Sequence, residues 1–304
     1  MTGAALPSAG GRFVRVPYTT LRVDERGPVD GPPVLFVHGG PGQGCADFMA
    51  CVGDLLAREL RVIGVDQRGA LYSDALPDDV SLTVDDLVAD FEALRLELGI
   101  DEWTVLGHSI GGRYALRYAL QHPNRVSAAI FENPEWDFVN STRAQLARAL
   151  PLLDGRDRQA DAERIRELLA GELSRTTAMW QEKRQLLAGL ESIYLHDTTT
   201  ALMDRLPQLD PDARARGQRH AQLLTEDPML YRSYLADLDQ LTQPALLLAG
   251  AHDPIANEPV LDAFRRAPRG HLEVFEQSGH FIHLEEPKRY AKAVSAFMTA
   301  LHPA

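Results

Sequence analysis

With 304 residues the chain is long enough for one large domain, or for a core carrying a smaller insertion, and its 45% hydrophobic and 24% charged content is that of an ordinary globular protein. A net charge of −12 with no basic run argues against nucleic acid as a partner, because a polyanion needs clustered Lys and Arg. No apolar stretch approaches the roughly 18 residues that cross a bilayer, and Met1–Gly11 lacks the basic and apolar regions of a secretory signal, so no membrane partner and a cytoplasmic location are expected.

The chain opens with a hairpin pattern, Arg12–Pro17 and Thr20–Glu25. Pro33–His38 (PVLFVH) is a continuous apolar run ending in glycines, the mark of a strand buried on both faces. Cys45 and Cys51 follow, six apart in what reads as one helix; that spacing puts them on different faces, so free thiols are expected. Arg61–Asp66 is another buried strand, and Leu82–Leu98 has apolar residues at helical spacing with Gly99 as its stop. Trp103–Leu106 is a strand that runs directly into Gly107-His108-Ser109-Ile110-Gly111-Gly112, then a helix to Gln121 and a strand at Val126–Phe131.

From about Pro134 to Gln240 the strand signals stop, and Arg, Glu, Gln, Leu and Ala dominate between breakers at Pro151, Gly155, Gly171, Pro207, Pro211 and Pro228. Strands resume at Pro244–Gly250 and His271–Phe275, with helices around Glu258–Arg266 and Pro287–Leu301. Alternating strands and helices imply an α/β fold with a mostly parallel sheet flanked by helices. The expected division is a core of residues 1–133 and 241–304 and an inserted helical lid of 134–240.

The chemistry centres on Ser109. A nucleophile between a strand and a helix sits on a tight, strained turn; glycines at 107 and 111 let strand and helix approach while the hydroxyl projects above the sheet. Serine needs a base, and His280, on a glycine-led loop after the last strand, is the best placed of ten histidines. Its near rival, His283, lies further into the next segment. Asp253, after the Pro244–Gly250 strand, completes the order Ser, Asp, His and would hold the imidazole tautomer. The backbone N–H of Ile110, and that of Gly40 in the glycine turn after PVLFVH, would receive an oxyanion.

Together, His38-Gly39-Gly40-Pro41-Gly42, Asp66-Gln67-Arg68-Gly69, Gly107–Gly112, Asp253 and His280 resemble the proline iminopeptidase family of α/β-hydrolases in layout over nearly the whole chain. The pairing of HGGPG with DQRG is the specific part. The resemblance implies the α/β-hydrolase fold, a helical cap over the pocket, Ser109, Asp253 and His280 as triad, Gly40 and Ile110 as oxyanion donors, and no metal or organic cofactor. It also implies that Gly39, Asp66 and Arg68 support the loops around the site. Family members bind a substrate amine with cap glutamates, for which Glu135, Glu182 and Glu191 are candidates here, with Trp180 near Glu182 echoing an aromatic-acidic cap motif.

Departures bear on substrate. The family usually has tryptophan after the nucleophile and glycine before it, where this chain has Ile110 and His108; after DQRG it reads Ala70-Leu71-Tyr72-Ser73-Asp74. The favoured reading is therefore hydrolysis of an ester, lactone or small amide in specialised metabolism. An iminopeptidase acting on a short peptide is the alternative. A ligand receptor with a vestigial triad, or a non-hydrolytic enzyme on the same fold, is a further one. Serine at the elbow argues against epoxide hydrolases and haloalkane dehalogenases, which place aspartate there. Nothing in the pattern favours one oligomeric state.

Overall fold

A computed structural model describes residues 11–153, 158–196 and 209–301. Residues 1–10, with most of the segment weighed as a leader, and the breakers Gly155 and Pro207 lie outside the described residues. Eight strands form one sheet in the order β1-β2-β4-β3-β5-β6-β7-β8. They are β1 (Gly11–Val16), β2 (Thr19–Arg26), β3 (Pro33–Val37), β4 (Arg61–Asp66), β5 (Trp103–His108), β6 (Val126–Glu132), β7 (Ala245–Gly250) and β8 (Gly270–Phe275). β1 and β2 form the antiparallel hairpin and β2 pairs antiparallel with β4; every other pairing is parallel.

The main helices are α1 (Val84–Glu97), α2 (Gly111–Gln121), α3 (Phe138–Leu153), α4 (Gln159–Ala170), α5 (Thr177–Leu186), α6 (Pro211–Leu224), α7 (Glu258–Phe264) and α8 (Pro287–Leu301). α1 begins in a reciprocal cap, Thr83 accepting from Asp86 N–H and Asp86 accepting from Thr83 N–H, and ends before Gly99 at φ +64°. The cysteines do not share one regular helix as expected: Cys45 precedes a short α-helical turn, and Cys51 sits in the π-helical turn Met49–Gly53 that follows it. Both are free thiols.

Period-two alternation splits the core across the sheet. Leu35, Val37 and Val105 face one layer with Phe91, Leu116 and Phe131, while Val34, Phe36 and Leu106 face the other with Phe48, Tyr290 and Val294. Burying each such side chain contributes about 1.5–3 kcal/mol, which is why these strands read as unbroken apolar runs. Between β6 and β7 the described residues hold no strand, and α3, α4 and α5 enclose a small core of their own around Leu146, Leu153, Ile165 and Leu186. No described helix is long and apolar enough to cross a membrane. Because β3 to β8 run parallel, the loops after all of them open at one edge of the sheet, where ligands of such sheets bind.

Candidate active site

Ser109 leaves β5 with φ +55°, a left-handed backbone that an L-residue holds only when its surroundings enforce it. They do so through close packing. A Cβ on Gly107 would lie 2.6 Å from the Gly111 carbonyl, and one on Gly111 would lie 2.3 Å from the Val37 carbonyl. The Ser109 N–H donates to the Glu132 carbonyl (2.9 Å), and its carbonyl accepts from the N–H groups of Gly112 and Glu135 (3.0 and 2.9 Å). The hydroxyl borders a cavity of about 620 Å³, a size suited to a small-molecule ligand.

The glycine turn after β3 forms the facing wall, with Gly40 at φ +117°. Neither Gly40 N–H nor Ile110 N–H donates to another backbone or side-chain group among the described residues, and both residues line the cavity. His38 ties this turn to the DQRG loop. Its Nδ1–H donates to the Gly39 carbonyl (2.9 Å) while its Nε2 accepts from Gln67 N–H (3.1 Å), and Gln67 Nε2 donates back to the His38 carbonyl (3.0 Å). Burial pulls the His38 pKa down to about 3, so the ring stays neutral in this role.

Asp66 and Arg68 both brace loops. Asp66 accepts from Cys45 N–H (2.9 Å) and Tyr72 N–H (3.3 Å), and Arg68 makes a two-pronged pair with Asp90 on α1 (2.5 Å each). The Arg68 carbonyl also accepts from His220 Nδ1–H (2.8 Å), which ties α6 to this loop. α6 touches the glycine turn backbone to backbone, since a Cβ on Gly217 would sit 2.5 Å from the Gly42 carbonyl. Gly217→Val is therefore expected to push α6 off the turn at a cost of about 1–3 kcal/mol. A thermal melt unchanged from wild type would show that the contact is not needed.

His280 and Asp253 come together from loops after β8 and β7, Nδ1 to Oδ1 at 3.0 Å, with both side chains buried. An ionised carboxylate only accepts, so Nδ1 carries the proton and Nε2 presents a lone pair. Asp253 Oδ2 is anchored by Ala256 N–H (2.7 Å). The backbone of His280 is fixed from both sides: its N–H donates to the Tyr194 carbonyl (2.6 Å), and its carbonyl accepts from His108 Nε2–H (3.1 Å) and Asn133 Nδ2–H (3.0 Å). Asn133, at φ +42°, also accepts from Gly250 N–H (2.8 Å), and so joins the ends of β6, β7 and the His280 loop. His108 and Asn133 went unremarked as positioning groups in the sequence, because their partners are carbonyl and N–H groups that every residue carries.

His283 has a different partner. Its Nδ1 lies 2.9 and 3.0 Å from the two oxygens of Glu132 at the end of β6, and its N–H also donates to Glu132 (3.0 Å). Burial alone would push the Glu132 carboxyl up and the His283 imidazole down. The facing charges outweigh it, holding Glu132 at about 2 and raising His283. His108, Glu132 and His283 bring three ligand-type atoms within 4.8 Å, but the Glu132 oxygens and His283 Nδ1 are engaged with each other and His108 Nε2 with the His280 carbonyl. The cluster is a buried ion pair beneath the His280 loop.

Of the residues singled out for substrate, Glu135 and Trp180 line the cavity, as does Glu191 at its exposed margin. Glu182 does not: it turns outward and pairs with Arg164 (2.6 Å). The correction follows from helix geometry, because residues two apart on α5 point about 200° apart, whereas Lys183, three after Trp180, shares its face. Lys183 duly lines the cavity, and its place among only three lysines was the signal that could have drawn attention to it. One oxygen of Glu135 is already engaged: Oε1 accepts from fully buried Arg113 (3.1 Å) and from the Ser141 hydroxyl (2.9 Å).

Comparison with known proteins adds to this geometry. The sequence profile of the alpha/beta hydrolase fold matches residues 32–287. The chain is 27% identical over 292 residues to a proline iminopeptidase of Heyndrickxia coagulans, covering 92% of this chain and 94% of that one. The crystal structure of a Mycobacterium smegmatis proline iminopeptidase superposes with a TM-score of 0.74 at 23% identity, covering 96% of this chain and 98% of that one. A thermophilic esterase from Thermogutta terrifontis gives 0.67 at 22% identity, over 97% and 100%.

Proposed function

This chain belongs to the α/β-hydrolase family, of the proline iminopeptidase-like type, and is a hydrolytic enzyme; from that premise we propose that it cleaves an ester, lactone or amide of a small molecule through a Ser109–His280–Asp253 triad. The observation that carries this reading is the His280–Asp253 bond at 3.0 Å, with Ser109, His280, Gly40 and Ile110 all on one cavity. Asp253 holds the proton on Nδ1, which leaves Nε2 to take the Ser109 proton as the hydroxyl attacks a carbonyl. The carbonyl oxygen, gaining charge, is received by the N–H groups of Gly40 and Ile110 at the open N-terminus of α2. His280 returns the proton to the leaving group, and water attacks the acyl-enzyme by the same route. In this reading residues 134–240 act as a cap whose side chains select the substrate over a constant core.

The full-length iminopeptidase relative supports a second reading, release of an N-terminal residue from a short peptide. It needs a carboxylate placed to take the substrate amine. Glu135 is paired with Arg113 beside a cation, Lys183, and Glu191, the other acid lining the cavity, stands at its exposed margin, which is why the first reading is preferred. A panel of prolyl and other aminoacyl anilides, aryl esters and lactones separates them. Turnover of esters or lactones with little anilide cleavage is expected; dominant prolyl-anilide cleavage would establish the iminopeptidase instead. A fluorophosphonate probe is expected to label the protein at Ser109, and absence of labelling would sink both.

A further inference from the structure

Lys183 stands on α5, buried with only 6% of its surface exposed, on the wall of the same cavity as Ser109. Its ammonium makes no hydrogen bond or ion pair among the described residues. It lies instead over two aromatic faces, 4.7 Å from the Trp180 ring centroid and 4.9 Å from that of Phe138. Aromatic faces favour a cation without neutralising it. Burial pulls its pKa down to about 8, with Glu135 raising it and Arg113 lowering it. At neutral pH the group is mostly charged.

The charge count around it is uneven. Arg113 and Glu135 pair with each other, so Lys183, on the cavity wall beside Glu135, is a positive charge with no ion-pair partner of its own among the described residues. A buried charge without a counter-charge is costly, and proteins keep one where a ligand supplies the partner. The Trp180 Nε1–H beside it is likewise buried with no hydrogen-bond partner, a second donor without an acceptor on the same helix face. The charged groups at the mouth, Arg184, Arg214 and Glu191, are exposed and solvated, and Arg184 and Arg214 outnumber the one acid.

We propose that Lys183 is the substrate-recognition residue of this cavity and that it takes a carboxylate carried by the substrate, so that the hydrolysed ester, lactone or amide belongs to an acidic small molecule. A carboxylate is the matching anion because one negative charge pairs with the one left without an ion-pair partner, and a compact ammonium gives it a point contact. The inference rests on the hydrolase reading for the bond that breaks, but not for the binding.

Two measurements test it separately from catalysis. Calorimetric titration of the wild-type protein with 3-phenylpropanoate and with its isosteric neutral amide is expected to favour the acid by about tenfold or more. In Lys183→Met that preference is expected to vanish, and in Lys183→Arg to persist in part. Methionine packs between the two rings without a charge to desolvate, so the variant is expected to melt no lower than wild type. In turnover, the ratio of kcat/KM for mono-p-nitrophenyl adipate to that for its methyl ester is expected to fall by about tenfold in Lys183→Met, chiefly through KM. Equal binding of acid and amide by wild type, or an acid preference surviving in a folded Lys183→Met, would overturn the proposal. Absence of any serine-dependent turnover beside a Lys183-dependent acid preference would overturn the hydrolase reading alone.

Discussion

Ser109→Ala is expected to lower kcat for whatever substrate the panel identifies by roughly 10⁴-fold or more, with the fold intact. The size follows from how many groups act through this one hydroxyl. In the proposed mechanism the hydroxyl is both the nucleophile and the proton donor to His280, so its loss leaves only unassisted water attack with whatever oxyanion stabilisation Gly40 and Ile110 still give. The fold survives because alanine keeps the backbone bonds of Ser109 to Glu132, Gly112 and Glu135, and removes only an oxygen that faces the cavity. Circular dichroism and melting should match wild type while steady-state turnover collapses. Activity within tenfold of wild type would place the nucleophile elsewhere.

Glu132→Ala is expected to be the most destabilising single change at the site, by about 3 kcal/mol, because it strands the imidazolium of His283 in a fully buried position. Asp47 remains only as a more distant partner, its Oδ2 4.0 Å from His283 Nε2 and beyond hydrogen-bond reach, and His108 is held neutral because burial takes its pKa down to about 3. The pH dependence has a definite sign. His283, raised above its ordinary 6.5, stabilises the fold fully below pH 6.5 and loses that contribution as pH rises through its folded pKa. Glu132, lowered from 4.5 to about 2, contributes fully above pH 4.5 and loses it as pH falls through about 2. The gap between wild type and Glu132→Ala is therefore widest between pH 4.5 and 6.5. Urea unfolding at pH 5.5 and 8.5 measures it, and equal gaps at the two values would refute the ion pair. Adding His283→Phe to Glu132→Ala is expected to recover much of the loss, since it removes the stranded charge.

These effects show how differently the parts of the site can be read. The turn at Ser109 was legible because its requirement is local: φ +55° between β5 and α2 tolerates no Cβ at 107 or 111, and only glycine meets that. HGGPG is legible for a related reason, since Gly40 and Gly42 take positive φ and Gly42 meets the backbone of Gly217 closely. Glu182 misled because a helix of mixed polarity does not declare which face turns inward. On α5 that is decided by packing against Phe138 and the cavity, and it selects Trp180 and Lys183.

What the sequence by itself determined is the fold class, through buried strands alternating with helices, and the positions where backbone strain or close approach admits few residue types. The pairing of His280 with Asp253 was expected from chain order, but the tertiary structure alone decided that His283 meets Glu132, that Glu135 Oε1 is taken by Arg113, and that Lys183 stands without an ion-pair partner among the described residues. The physical reason is range. Strain at a turn is set by neighbours along the chain, whereas a charge is defined by whatever the sheet order brings beside it, across 27 residues for Asp253 and His280 and 151 for Glu132 and His283.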